Sequence, residues 1–94
     1  MDINIASSPD EKGWNLDVRI SDSSSYSDHL VTVSEDTFDR LTEGRCTPTE
    51  LVRCSFAFLL KREPKEAILR QCNITVISCY FPKYEAKMRE WLGD

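Results

Sequence analysis

The stretch Thr47-Pro48-Thr49-Glu50-Leu51-Val52-Arg53-Cys54-Ser55-Phe56-Ala57-Phe58-Leu59-Leu60 decides how the chain is read. A threonine followed by proline and then, three positions on, by glutamate is the pattern of a capped helix start. The threonine hydroxyl accepts from the Glu50 amide, the glutamate side chain accepts from the Thr47 amide, and Pro48 sits where its missing N–H costs nothing. Apolar residues then cover most of the helix circumference, as in a helix buried within a domain or at a subunit seam. The helix is expected over about 48–62, ending where Glu63-Pro64 breaks it.

Upstream the period changes. Trp14, Leu16, Val18 and Ile20 alternate with Asn15, Asp17 and Arg19, which predicts a strand with one dry and one wet face. His29-Leu30-Val31-Thr32-Val33 is rich in β-branched residues and reads as another. Ile3 and Ile5 mark a short candidate strand over 2–6, followed by turn chemistry over 8–13. Residues 21–28, rich in serine, form the polar connection between the better two strands. Ser34 offers a cap oxygen to a short helix over 35–43, with Glu35 and Asp36 in its first turn and Gly44 as a left-handed stop.

Downstream, 65–71 reads as a short helix with Ile68 and Leu69 packed inward. Residues 74–81 are β-branched but lie between helical segments, and a short helix is the preferred reading. Pro82 opens a last helix in which Tyr84, Met88, Trp91 and Leu92 share a face and Gly93 is the stop. The expectation is one α+β domain over 1–94. An N-terminal antiparallel β-meander of two or three strands (1–34) packs on a bundle of three to five short helices (35–94), with the helix at about 48–62 in the centre.

The chain has 94 residues, 40% apolar and 30% charged, with mean hydropathy -0.42, net charge -4 and pI near 5.0. No apolar run approaches the roughly 20 residues of a membrane span, and the first residues lack the basic-then-apolar pattern of a secretory signal. The acidic balance argues against non-specific nucleic-acid binding. Arg40, Arg45, Arg53, Lys61, Arg62 and Lys65 are interleaved with acids and read as a mixed, solvated surface. Cys46, Cys54, Cys72 and Cys79, spaced 8, 18 and 7 apart, contain no metal-binding pair. Reduced thiols in a cytoplasm are expected. Cys46 lies just before a helix start, where a thiolate gains stabilisation, but no base accompanies it. His29 is the single histidine and is expected at an exposed strand start. Gly13, Gly44 and Gly93 are too far apart for a phosphate loop. No catalytic, cofactor-binding or metal-ligating residue is assigned, and no small molecule or cofactor is expected.

The runs LVTVSEDTFDRLTEGRCTPTELVRCSFAFLLKREPKEAIL and ITVISCYFPKYEAKM resemble a family of short uncharacterised bacterial proteins. That likeness covers residues 30–88 and implies a bacterial or archaeal, cytoplasmic origin but no activity. A second resemblance is to ribbon-helix-helix DNA-binding proteins. It implies residues 30–33 as an intersubunit ribbon and the amides of 47–49 as a phosphate cradle. Residues 30–33 contain no Arg, Lys, Asn or Gln to read base edges. The functional expectation is a small non-enzymatic protein-interaction or regulatory domain, self-associating or partner-binding, with a ribbon-helix-helix-like DNA-binding regulator as the alternative.

Overall fold

The structure is a computed structural model and describes residues 2–92. Among the described residues four strands form one sheet in the order β1 (Asp2–Asp10), β2 (Gly13–Ser21), β3 (Tyr26–Ser34) and β4 (Gln71–Asn73). The helices are α1 (Glu35–Thr42), α2 (Pro48–Leu60), α3 (Thr75–Tyr80) and α4 (Tyr84–Leu92), with a single 3-10 turn over Lys65–Ala67. The α+β expectation holds, and the meander has its three strands. The fourth strand, parallel to β3, was not expected.

The period-two pattern does what it predicts. Leu16 stands opposite Val31 and Ile5 opposite Val18, so their side chains share the face under the helices. Leu16, Val18, Ile20, Val31 and Val33 are buried there against Leu51, Val52 and Phe56 of α2. Trp14 is half-buried and meets Phe38 of α1 edge-on, with ring centroids 5.1 Å apart.

The turn expected over 8–13 shrinks to Glu11 and Lys12, and β1 runs straight through Ser8-Pro9. Proline is tolerated because β1 is an edge strand. The Ile3 carbonyl faces outward, to Arg53. By antiparallel alternation the backbone groups of Ile5, Ser7 and Pro9 also point away from β2, so Pro9 removes no ladder bond. At the corner, a Cβ on Gly13 would fall 2.0 Å from the Val33 carbonyl oxygen. Only glycine permits that approach. The serine-rich connection also shortens, to residues 22–25. Asp22 accepts from the Ser24 and Ser25 amides, both at 2.9 Å, and organises the loop as an Asx turn.

Both expected caps form. The Ser34 hydroxyl accepts from the Thr37 amide, and Glu43 and Gly44 both take left-handed φ at the end of α1. Thr47 and Glu50 complete the reciprocal cap of α2, which ends at Leu60 rather than 62. Leu51, Val52, Phe56, Phe58 and Leu59 are buried within the chain, so α2 is the core helix. Ser55 donates to the Leu51 carbonyl (2.7 Å) and lies 2.5 Å from the Tyr84 hydroxyl, which is left to donate to it. Burial raises the Tyr84 phenol well above its ordinary pKa.

The helix expected over 65–71 does not form. After the 3-10 turn the chain extends at Ile68 and enters β4. Its carbonyls go to β3 instead: Leu30 N–H donates to Arg70 O at 2.7 Å. The helix over 74–81 does form, as α3. Asn73 Oδ1 accepts from the Thr75 amide and hydroxyl, both at 3.0 Å, and holds its first turn. Pro82 lies in a turn two residues before α4. Gly93, its expected stop, and the Leu92 side chain lie outside what the structure describes.

Candidate functional site

Three places hold the residues on which function can rest. The first is around His29. It is not exposed at a strand start: only 3% of its surface is accessible, and it lies on the inner sheet face against Phe56. Nδ1 is 2.8 Å from the Leu69 carbonyl, which can only accept, so Nδ1 carries the proton. Nε2 then accepts from the Ser27 hydroxyl at 2.8 Å. The Ser–His–carbonyl chain has the connectivity of a nucleophile dyad, but Ser27 is buried as well. What it does here is tie β3 to the residue that leads into β4.

The second place is the outer face of the sheet, a shallow concavity of about 670 Å³ lined by polar side chains, among them Asn4, Asp17, Arg19, Asp28, Arg53 and Arg70. Much of its charge is already matched. Arg19 holds Asp28 in two hydrogen bonds of 2.7 and 3.1 Å, which keep the Asp28 carboxyl below its ordinary pKa. Arg53 reaches the Ile3 carbonyl at 2.9 Å. The face has the composition of a solvated sheet surface.

The third place is an apolar groove of about 280 Å³ at the β4 end of the sheet, beneath α3. Leu59, Ile68, Leu69, Cys72, Ile77 and Tyr80 line it, and Glu63 is the acidic group on its wall. The extended backbone after the 3-10 turn buries Ile68 but turns Leu69 outward, to 47% exposure, where an inward packing was expected. Tyr80 is 68% exposed at the mouth. Nearby cations are engaged elsewhere: Arg62 lies 3.8 Å over the Phe58 ring and Lys61 5.4 Å over Trp91. The sequence carries no local signal for this groove, since Leu69 and Tyr80 sit in separate elements joined only by the fold.

The remaining candidates resolve individually. The Cys46 thiol is pushed up to about 11 by burial, with Glu50 and Cys54 adding to the effect, so it stays protonated at neutral pH despite its place before a helix. Cys54 and Cys72 are also raised by burial, and no cysteine is paired among the described residues. The scattered cations form no basic patch. Arg40 pairs with Glu85, Arg45 with Glu43, and Lys65, 5% exposed, with Asp22 (2.8 Å) and Glu66 (3.0 Å). At 47–49 the Glu50 carboxylate already accepts from the Thr47 amide. Residues 30–33 lie in β3, which is hydrogen-bonded to β2 on one edge and β4 on the other. Of the C-terminal aromatic face, Tyr84 and Met88 are core, and Trp91 is partly exposed over Phe58. Among the described residues no cluster of His, Cys, Asp and Glu has the arrangement of a metal site, and no helix is long and apolar enough to cross a membrane. No protein-family model, no curated protein and no solved structure matches the chain.

Proposed function

We propose that the chain is a small interaction domain without chemistry of its own, acting in a bacterial cytoplasm and binding a protein partner through the groove at Leu69 and Tyr80. The observation that carries this is the groove itself. It gathers two of the four exposed large apolar side chains among the described residues over an apolar floor, while the other two, Tyr26 and Trp91, each lie against a cation, Arg19 and Lys61. Apolar surface gathered in one place, rather than scattered, marks a contact site. The unpaired cysteines fit a reducing compartment. The DNA-binding alternative draws no support from the sheet, because both edges of β3 are occupied and residues 30–33 are not free to pair with the same strand of a second chain.

The test is proximity labelling in the cells of origin, comparing wild type with the double variant L69D/Y80D. Both positions are exposed, so the variant is expected to keep its circular dichroism and melting temperature. A set of proteins labelled by wild type and lost in the variant is the expected result. Identical sets from two folded proteins would end the proposal.

A further inference from the structure

The groove lies beside an unfinished sheet edge. Two bonds of the β3–β4 ladder, Leu30 N–H to Arg70 O (2.7 Å) and Ile74 N–H to Thr32 O (2.9 Å), set its phase. In a parallel pair the residues on one strand alternate between facing the partner and facing away. With Leu30 opposite Gln71 and Thr32 opposite Asn73, positions 70, 72 and 74 face β3. The amides and carbonyls of Gln71 and Asn73 face outward, and both residues are exposed. Between them Cys72 points to the inner face and lines the groove. A residue paired beside Cys72 on an added strand projects to the same face and enters the groove.

We infer that this edge takes an extended segment of a partner protein as a fifth strand. The segment would pair with Gln71 and Asn73, set one large apolar side chain between Leu69 and Tyr80, and place a lysine or arginine against Glu63. The inference rests on the interaction reading above and names the partner's chemistry. Three observations select this occupant. Outward backbone groups at a strand edge are satisfied by another strand and not by a helix. A groove of about 280 Å³ is of the size that receives a side chain or two rather than a helix face. Glu63 has no ion-pair partner among the described residues and lies on the groove wall, which favours a cation on the incoming chain. The same charge argues against a second copy of this chain docking through β1, its other sheet edge. That strand carries Asp2 and Asp10 and no cation of its own, and Arg53 at its edge is already engaged with the Ile3 carbonyl, which a second chain would have to displace. Such head-to-tail pairing would also propagate instead of closing.

The probe is a displayed library of random heptapeptides, selected on the immobilised full-length protein. Expected winners are β-prone sequences with one large apolar residue and a nearby lysine or arginine. A synthesised winner should lose about tenfold in affinity on Y80S and again on E63K. Replacing the peptide's cation by glutamate should restore binding to E63K. In the complex, hydrogen exchange at the Gln71 and Asn73 amides should slow by about tenfold or more. Failure to enrich any peptide, winners that bind Y80S equally well, or a complex in which those two amides exchange unchanged would each overturn the inference. If labelling in cells still depends on Leu69 and Tyr80 while the library fails, strand addition alone falls. If both fail, the interaction reading falls with it.

Discussion

The two edges of the sheet are finished in different ways. The β1 edge is nine residues long and guarded at both ends and at Ile3. Asp2 and Asp10 stand at its ends, Pro9 offers no N–H, and Arg53 occupies the Ile3 carbonyl. These are the devices that keep a long edge from pairing with other chains. The β4 edge is three residues long, carries no charge in Gln71-Cys72-Asn73, and opens onto apolar surface. One edge is closed to strangers and the other left ready. A free edge becomes informative only when its defence is missing and a groove lies next to it.

The largest expected effect comes from the core behind the groove, whose lining residue Phe81 rests on Phe58. Phe58 is fully buried and meets Phe81, Tyr84 and Trp91 at centroid distances of 5.8, 5.5 and 6.5 Å. It holds α4 and the end of α3 onto α2. Phe58→Ala should cost about 3–5 kcal/mol in urea unfolding, with exchange in α3 and α4 rising before exchange in β1 and β2. Uniform loss across the chain would mean the β4 side is not a separable unit.

His29→Leu is the next in size. It leaves the Leu69 carbonyl and the Ser27 hydroxyl without their buried partner, which costs about 1–3 kcal/mol. The amides that face β3, at Cys72 and Ile74, should exchange faster while those of the β1–β2 hairpin stay protected. Equal protection would show that the ladder to β3 suffices without the histidine.

How far these features could be read from the sequence follows the range of the forces behind them. The Thr47–Glu50 cap and the Ser34 cap were legible because every partner lies within three residues. The inner face of β2 was legible because period two is a local property of the strand. β4 was not. Three residues have little propensity of their own, and what makes Gln71–Asn73 a strand is pairing with residues about forty positions away. The same distance hid the Leu69 carbonyl from His29, so a core histidine read as an exposed one. A helix over 65–71 would place Leu69 inside and leave no groove; the extended backbone at Ile68 turns it out. Ser8-Pro9 misled differently: proline forbids a central strand, and nothing local says that this strand is the outermost.

Acid should loosen the two sides unequally. Lys65 holds Asp22 and Glu66 below their ordinary values of 3.8 and 4.5. Burial alone would raise Glu85, but hydrogen bonds from Arg40 and Ser78 outweigh it and hold that carboxyl below 4.5 too. A depressed carboxyl contributes stability that is present above its unfolded pKa and lost as pH falls through its folded one. Stability should therefore be level near neutrality and decline below about pH 4.5. Exchange should rise first at residues 22–25 and 65–67, which the Lys65 ion pairs join, and later in the β1–β2 ladder. A decline that begins above pH 5.5, or in β1 first, would place the acid-sensitive contacts elsewhere.

The smallest change in stability is expected where the comparison is most exposed to refutation. Arg53→Ala removes one solvent-facing hydrogen bond, to the Ile3 carbonyl, and should alter unfolding by no more than about 1 kcal/mol. If the arginine guards the β1 edge, its loss should appear in association instead. The variant should form dimers or larger species at concentrations where wild type does not, by sedimentation velocity, with new exchange protection at the outward amides of Ile3, Ile5 and Ser7. A second substitution, Ser7→Lys at an exposed position of β1, should suppress that association by putting charge back on the edge. If Arg53→Ala sediments like wild type, Asp2, Pro9 and Asp10 are defence enough. The contrast between the edges would then rest on the groove beside β4 alone, because a short edge without apolar surface offers a partner little more than backbone.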